Sequence, residues 1–383
     1  MSIARRIDRR ILAPVGLAVV LAACGGGEIV TALPSAPPSG AIGLDQVRLQ
    51  LQWVPQAQFA GYFAAFEQGF FEANGIEVTI VAGGPEVIPQ QVGSAPNGPE
   101  FTVSWVPKVL EARDGARSDL VNIAQVFQRT GTLSVSWRES AITSPADFRD
   151  RLVGVWDFGN ELEVTAGTRK VGLEPGDDFE LMPISDVAPL LSRQVDVAQA
   201  MIYNEYARIL ETVNPETDRL YQPTDLHVIN WVDEGTAMLQ DALFARASWL
   251  EQPGSEDIAI RFLEASFQGW IYCRANPVDC IDYTIDAGAT IGGGATLGAG
   301  HQAWMLNEVN ALIWPSPDGI GTMDPAKWRH TVEVLLEAGI IGGEPSPEAY
   351  RTDLAAAALA GITEDSAGPA FQKGVVEIRE GGN

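Results

Sequence analysis

The chain has 383 residues, a formal net charge of −25 and 46% hydrophobic residues. So acidic a protein does not seek nucleic acid or anionic lipid through its surface, and the charge favours solubility while naming no ligand. A chain this long exceeds one ordinary core and predicts two lobes.

The first residues read "MSIARRIDRRILAPVGLAVVLAACGGG", with a basic start (Arg5, Arg6, Arg9, Arg10) and an apolar run from Ile11 to Ala23. That run is short for a membrane span and is interrupted by Pro14 and Gly16, so residues 1–23 read as a secretory signal. Leu21-Ala22-Ala23-Cys24-Gly25 has the pattern of a bacterial lipobox, in which Cys24 is lipidated. The alternative is an ordinary export signal with a chance cysteine. Residues 24–45 are rich in Gly, Pro and Ser with little charge, which predicts a flexible tether. Signal, lipid and tether together predict a protein anchored on the extracytoplasmic face of a cell membrane.

From Val47 the pattern alternates strand and helix. "VRLQLQW" puts Val47, Leu49, Leu51 and Trp53 on one strand face. A helix from about Gln56 to Gln68 stops near Gly69, and "GIEVTI" is the next strand. "EFTVSW" precedes "VPKVLEARDG", and "VNIAQVFQ" precedes "LSVSW". Ser144-Pro145 predicts a helix start, and Asn160 can cap a helix over "NELEVTAGTRKVG". The alternation continues through "FELMPI", "SDVAPLLSRQ", "VDVAQAMIY" and "NEYARILETV" to an extended run, "EGTAMLQDALFA". Long helices follow, beginning "SEDIAIRFLEASFQGWIYC". Repeated βα units predict α/β architecture with ligands outside the carboxyl ends of the strands. The glycine-rich stretch 290–300 contains no GxGxxG and reads as a connector. Cys273 and Cys280 form an even pair that predicts a short-loop disulfide in an oxidising compartment, with free buried thiols as the alternative.

Four strand ends carry aromatics: Trp53, Trp105, Trp156 (in "WDF") and Tyr203 (in "YNE"). Any one of them can be core filling, but the shared position predicts a cleft lined with flat faces.

"LQWVPQAQFAGYFAAFEQGFFEANGIEVTI", "VGVWDFGNELEV", "VDVAQAMIYNEYARILE" and "WVDEGTAMLQDALFA" resemble the family of periplasmic solute-binding proteins and pyrimidine synthases related to thiamine biosynthesis. The resemblance runs from about Val47 to Leu336 and is greatest to proteins that deliver a thiamine pyrimidine precursor, or riboflavin, to an ABC importer. It implies a type II-like two-lobed binding protein, with crossings placed near Trp137–Thr143 and His227–Glu234 and a helical C-terminal extension. Lobe I is then 46–136 with 235–383, and lobe II is 137–234. The implied partners are a small heterocyclic vitamin or precursor and a permease, for a monomer with no cofactor, metal or catalytic residue. The residues expected at the ligand are Trp53, Tyr62, Trp105, Asp157, Asn160, Glu161, Tyr203, Glu205, Asp233 and Glu234, the last two at the second crossing, where the alternative is a role in the hinge. Fungal members of the family are enzymes that make the pyrimidine from their own histidine and pyridoxal phosphate, with iron near a cysteine-rich segment. Here Ser104 stands where the enzyme has its Schiff-base lysine, and Lys108 where it has its sacrificial histidine. The matching segment 230–238 contains no cysteine. A Schiff base needs an amine and soft metal capture needs thiolate or imidazole, so transport is favoured over synthesis.

Overall fold

The computed structural model describes residues 43–292 and 297–383. The signal sequence, Cys24, most of the tether and the middle of the glycine-rich connector lie outside the described residues. Residues 43–383 form one compact unit. None of its described helices is long and apolar enough to cross a membrane.

Among the described residues twelve strands follow in chain order: β1 (Asp45–Gln50), β2 (Ile76–Val81), β3 (Phe101–Trp105), β4 (Leu120–Gln125), β5 (Thr132–Trp137), β6 (Leu152–Val155), β7 (Glu180–Pro183), β8 (Val197–Met201), β9 (Val213–Asn214), β10 (Arg219–Leu220), β11 (Leu226–Asn230) and β12 (Asp241–Arg246). One sheet has the order β2-β1-β3-β12-β4 and the other β11-β5-β8-β6-β7, while β9 and β10 form a hairpin. In each large sheet βα crossovers make part of the ladder parallel: β1 pairs in parallel with β2 and β3, and β6 with β7 and β8. The strands that arrive from the opposite sheet run antiparallel, with β12 between β3 and β4 and β5 between β8 and β11. Edge strand β2 alternates buried Ile76 and Val78 with exposed Glu77 and Thr79, because one face meets solvent. Central β3 and β12 are buried at every position.

The chain crosses between the sheets at 126–131 and returns at 235–240. The crossings expected near Trp137–Thr143 and His227–Glu234 are therefore displaced. Thr132–Trp137 belongs to the second sheet, whereas the expected lobe I extends to residue 136 and so takes in all of this strand but Trp137. An apolar strand does not state which sheet it joins; hydrogen bonds from Thr132–Ser136 to Val197–Met201 decide it. The extended run "EGTAMLQDALFA" likewise divides into a crossing and β12. Buried polar groups stitch the crossings together. Glu163 accepts from Met238 N–H at 2.6 Å in one crossing and from the Thr130 hydroxyl at 3.0 Å in the other. Gln240 accepts from Gly131 N–H at 2.8 Å. Burial raises the Glu163 carboxyl to about 7.

The largest core lies between the first sheet and the helices Ala60–Glu67 and Ser255–Ala275. Phe101 of β3 stacks on Phe262 at 3.8 Å between ring centroids. Cys273 and Cys280 are joined by a disulfide that ties the end of Ser255–Ala275 to the helix Pro277–Thr290. The helices Ala299–Ile313 and Pro325–Glu337 complete the helical C-terminal region.

Candidate functional site

A cleft of about 340 Å³ opens at the carboxyl ends of strands from both sheets. Trp53 follows β1, Trp105 ends β3, Trp156 follows β6 and Tyr203 follows β8. All four aromatics line the same space. Each lies where a strand gives way to a turn or helix, so its side chain extends past the sheet edge. Trp105, Trp156 and Tyr203 are buried, whereas Trp53 is half-buried and packs partly on the core.

Of the residues expected from sequence, Trp53, Trp105, Asp157, Asn160, Tyr203 and Glu205 line the cleft. Tyr62, Glu161, Asp233 and Glu234 do not. Tyr62 is corrected to a core residue, because its helix turns it onto Trp270 at 5.8 Å. Glu161 accepts from Gly159 N–H at 3.0 Å and shapes the turn beside the cleft; burial raises its carboxyl. Asp233 and Glu234 sit on the short helix Trp231–Glu234, where Asp233 is exposed and the Glu234 carbonyl accepts from Lys170 at 2.7 Å. Asn160 does not cap the following helix, which spans Leu162–Lys170. Its amide instead donates to the Asp157 carbonyl at 2.6 Å and accepts from Lys108 Nζ at 3.0 Å.

The sequence reading missed a polar wall from the first lobe. Gln52, Gln56, Gln58 and Glu86 form it, and Phe158 and Ser185 line the cleft from the second lobe. Three glutamines flanking Trp53 were the available signal, but glutamine carries no charge or periodicity that marks a site. Behind this wall Asp241 accepts from Gln52, Gln58 and Trp105. Lys108 is 3% exposed and holds its ammonium 5.5 Å from the centroid of the Trp105 ring. Burial lowers its pKa to about 8, opposed by the charges of Asp241 and Glu161. Burial also raises the Glu205 carboxyl, which accepts from Met201 N–H at 3.0 Å and from the Asn204 amide at 2.7 Å.

Two buried polar atoms in the cleft have no hydrogen-bond partner among the described residues: Trp156 Nε1, a donor, and Gln56 Oε1, an acceptor. A buried group left unpaired costs about 1–3 kcal/mol, so a ligand that pairs with either atom gains by it. The charged lining groups are the carboxylates of Glu86, Asp157 and Glu205 and the single ammonium of Lys108. That balance favours a ligand rich in donors and disfavours a phosphate. Ser104 is buried in β3 and does not line the cleft. Among the described residues no group of three or more His, Cys, Asp or Glu side chains is arranged to hold a metal ion.

The family model described as NMT1/THI5 like matches residues 56–280, more than half of the chain. The chain belongs to this family. Two curated relatives of the NMT1/THI5-like chain are binding proteins. One is the riboflavin-binding protein RibY of Chloroflexus aurantiacus, 23% identical over 342 residues, covering 85% of this chain and 92% of the relative. The other is a formylaminopyrimidine-binding protein of Halalkalibacterium halodurans, 25% identical over 248 residues, covering 62% of this chain and 69% of the relative. Among solved structures, a ligand-binding component of an ABC-type import system from Staphylococcus aureus superposes with a TM-score of 0.56 at 12% identity. It covers 82% of this chain and 98% of that one, which shows that the NMT1/THI5-like chain has the two-lobed solute-binding fold.

Proposed function

We propose that the chain is an extracytoplasmic substrate-binding lipoprotein of an ABC importer, which captures a planar heterocyclic vitamin or vitamin precursor between two lobes. The observation that carries the reading is an aromatic cleft in which each lobe leaves one buried polar atom unpaired, Gln56 Oε1 from the first and Trp156 Nε1 from the second. A flat ring stacked among Trp53, Trp105 and Trp156, with an N–H for Gln56 and an acceptor for Trp156, satisfies both. Riboflavin and a formylaminopyrimidine both have that combination of atoms, and the relatives named for them support the choice. The acidic lining supports uptake of an unphosphorylated ring over pyridoxal phosphate chemistry.

The test is thermal unfolding of the body without its leader, in the presence of riboflavin, the formylaminopyrimidine, thiamine or pyridoxal phosphate. A ligand at about a hundred times its dissociation constant adds about 2.7 kcal/mol to the unfolding free energy. Riboflavin or the pyrimidine is expected to raise the melting temperature, and pyridoxal phosphate to leave it unchanged. A shift with pyridoxal phosphate alone, or with none of the four, rejects the reading.

Anchoring is tested separately. Cys24→Ala is expected to move the protein from the membrane fraction to the soluble fraction and leave ligand affinity unchanged. Continued sedimentation with membranes removes the lipid anchor from the reading.

A further inference from the structure

Asp241 opens β12 directly after the second crossing and is buried behind the cleft wall without lining it. Oδ1 accepts from Gln52 Nε2 and from Trp105 Nε1, each at 2.7 Å, and Oδ2 accepts from Gln58 Nε2 at 2.8 Å. All three donors belong to side chains that line the cleft. An ionised carboxylate only accepts, so Gln58 has to offer it the NH₂ end of its amide. Gln58 Oε1 is then left to accept from Gln56 Nε2, at 2.8 Å. Gln56 Oε1 is then left without a partner among the described residues, a buried acceptor on a side chain that lines the cleft.

We propose that Asp241 is a positioning residue that sets ligand specificity: through Gln58 its carboxylate holds Gln56 with an acceptor toward the cleft, and so selects ligands that present an N–H or NH₂ there. This deepens, and rests on, the binding function proposed above. The same three hydrogen bonds fix the Trp105 ring and the Gln52 amide, so one buried charge orders Gln52, Gln58 and Trp105 of the first-lobe wall before a ligand arrives.

The arrangement is reversible with pH. Burial raises the Asp241 carboxyl to about 7, opposed by its hydrogen bonds to Gln58, Trp105 and Gln52 and by the charge of Lys108. The other titratable groups that feel its charge are Tyr62 and Tyr203, whose buried phenols are pushed far above the neutral range and stay uncharged. A proton on Oδ2 makes that atom a donor to Gln58 Oε1; the Gln58 amide turns over, Gln56 follows, and the cleft shows an NH₂ in place of an oxygen. The carboxyl is raised above its unfolded value of about 3.9, so the folded state holds this proton as pH falls below about 7. Above that pH the buried charge opposes folding while it maintains the acceptor at Gln56.

The test begins without ligand, on protein labelled with ¹⁵N-glutamine. The side-chain NH₂ signals of Gln56 and Gln58, assigned with Gln56→Ala and Gln58→Ala, are expected to move between about pH 8 and about pH 6 and to stay fixed in Asp241→Asn. Signals that do not move in the wild type overturn the proposal whether or not any ligand binds. Riboflavin and the formylaminopyrimidine are then titrated calorimetrically across the same range. Asp241→Asn is expected to weaken the probe that binds by roughly ten- to a hundredfold at about pH 8 and to abolish the inflection in affinity near neutrality. The ligand-free melting temperature at that pH should be unchanged or raised, which a merely structural role would not produce. Undiminished affinity in Asp241→Asn overturns the proposal. Moving amide signals in a protein that binds neither probe support the relay and reject only the choice of ligand.

Discussion

Gly269→Ala is expected to lower the unfolding free energy by about 3 kcal/mol. The helices Ala60–Glu67 and Ser255–Ala275 meet glycine to glycine across the main core. A Cβ on Gly269 would lie 2.0 Å from the Gly61 carbonyl oxygen and 2.8 Å from Ala65 N. Both obstacles are backbone atoms of a hydrogen-bonded helix, so no rotamer change relieves the overlap and the helices have to separate. On helix propensity alone alanine is better than glycine by about 1 kcal/mol, which makes the sign of the effect informative. A helix pair that tolerates a methyl group would be stabilised; one in glycine contact loses more than it gains. Trp270, which lies over Gly61 and against Tyr62, would lose its fit as the pair opens. Gly343 is the control, because a Cβ there meets nothing within 4 Å and the residue is exposed. Urea unfolding checks the pair. Equal midpoints for Gly269→Ala and the wild type would show that the helices do not meet as described.

The second large effect is on affinity. Trp53→Ala is expected to weaken ligand binding by about 1–3 kcal/mol, roughly ten- to a hundredfold, with a small change in ligand-free stability. Trp53 is half-buried and lines the cleft, so its removal exposes little that was dry in the empty protein. Trp105 gives the contrast. It is 5% exposed, and its indole N–H is spent on Asp241, so Trp105→Ala should cut affinity and also destabilise the ligand-free fold by about 3–5 kcal/mol. Calorimetric titration and ligand-free melting of the two variants separate a stacking wall from a core tryptophan. Trp53→Ala that melts early yet binds with undiminished affinity removes Trp53 from the site. Trp53→Phe should lose less than Trp53→Ala, and a large loss on Phe favours a two-ring ligand over a single pyrimidine.

Much of this was legible in the chain alone, because local physics decides it. The alternation of Val47, Leu49 and Leu51, the apolar "FTVSW" and "VDVAQAM" and the long helical stretches toward the C-terminus give an α/β chain with a helical end. The shared position of Trp53, Trp105, Trp156 and Tyr203 at strand ends located the cleft, since ligands of parallel sheets bind past the carboxyl edge whatever the sequence between the strands. Neither the sheet joined by Thr132–Trp137 nor the direction of Tyr62 could be read that way. Strand pairing is a long-range choice among strands of similar composition, and it moved both crossings to 126–131 and 235–240. Tyr62 turns inward because Trp270, two hundred residues away in sequence, packs against it. The polar wall is of the same kind. Asp241 stood in the sequence as one acid in an extended run; tertiary structure alone sets it behind Gln52, Gln58 and Trp105 and gives a buried carboxylate three donors from distant parts of the chain.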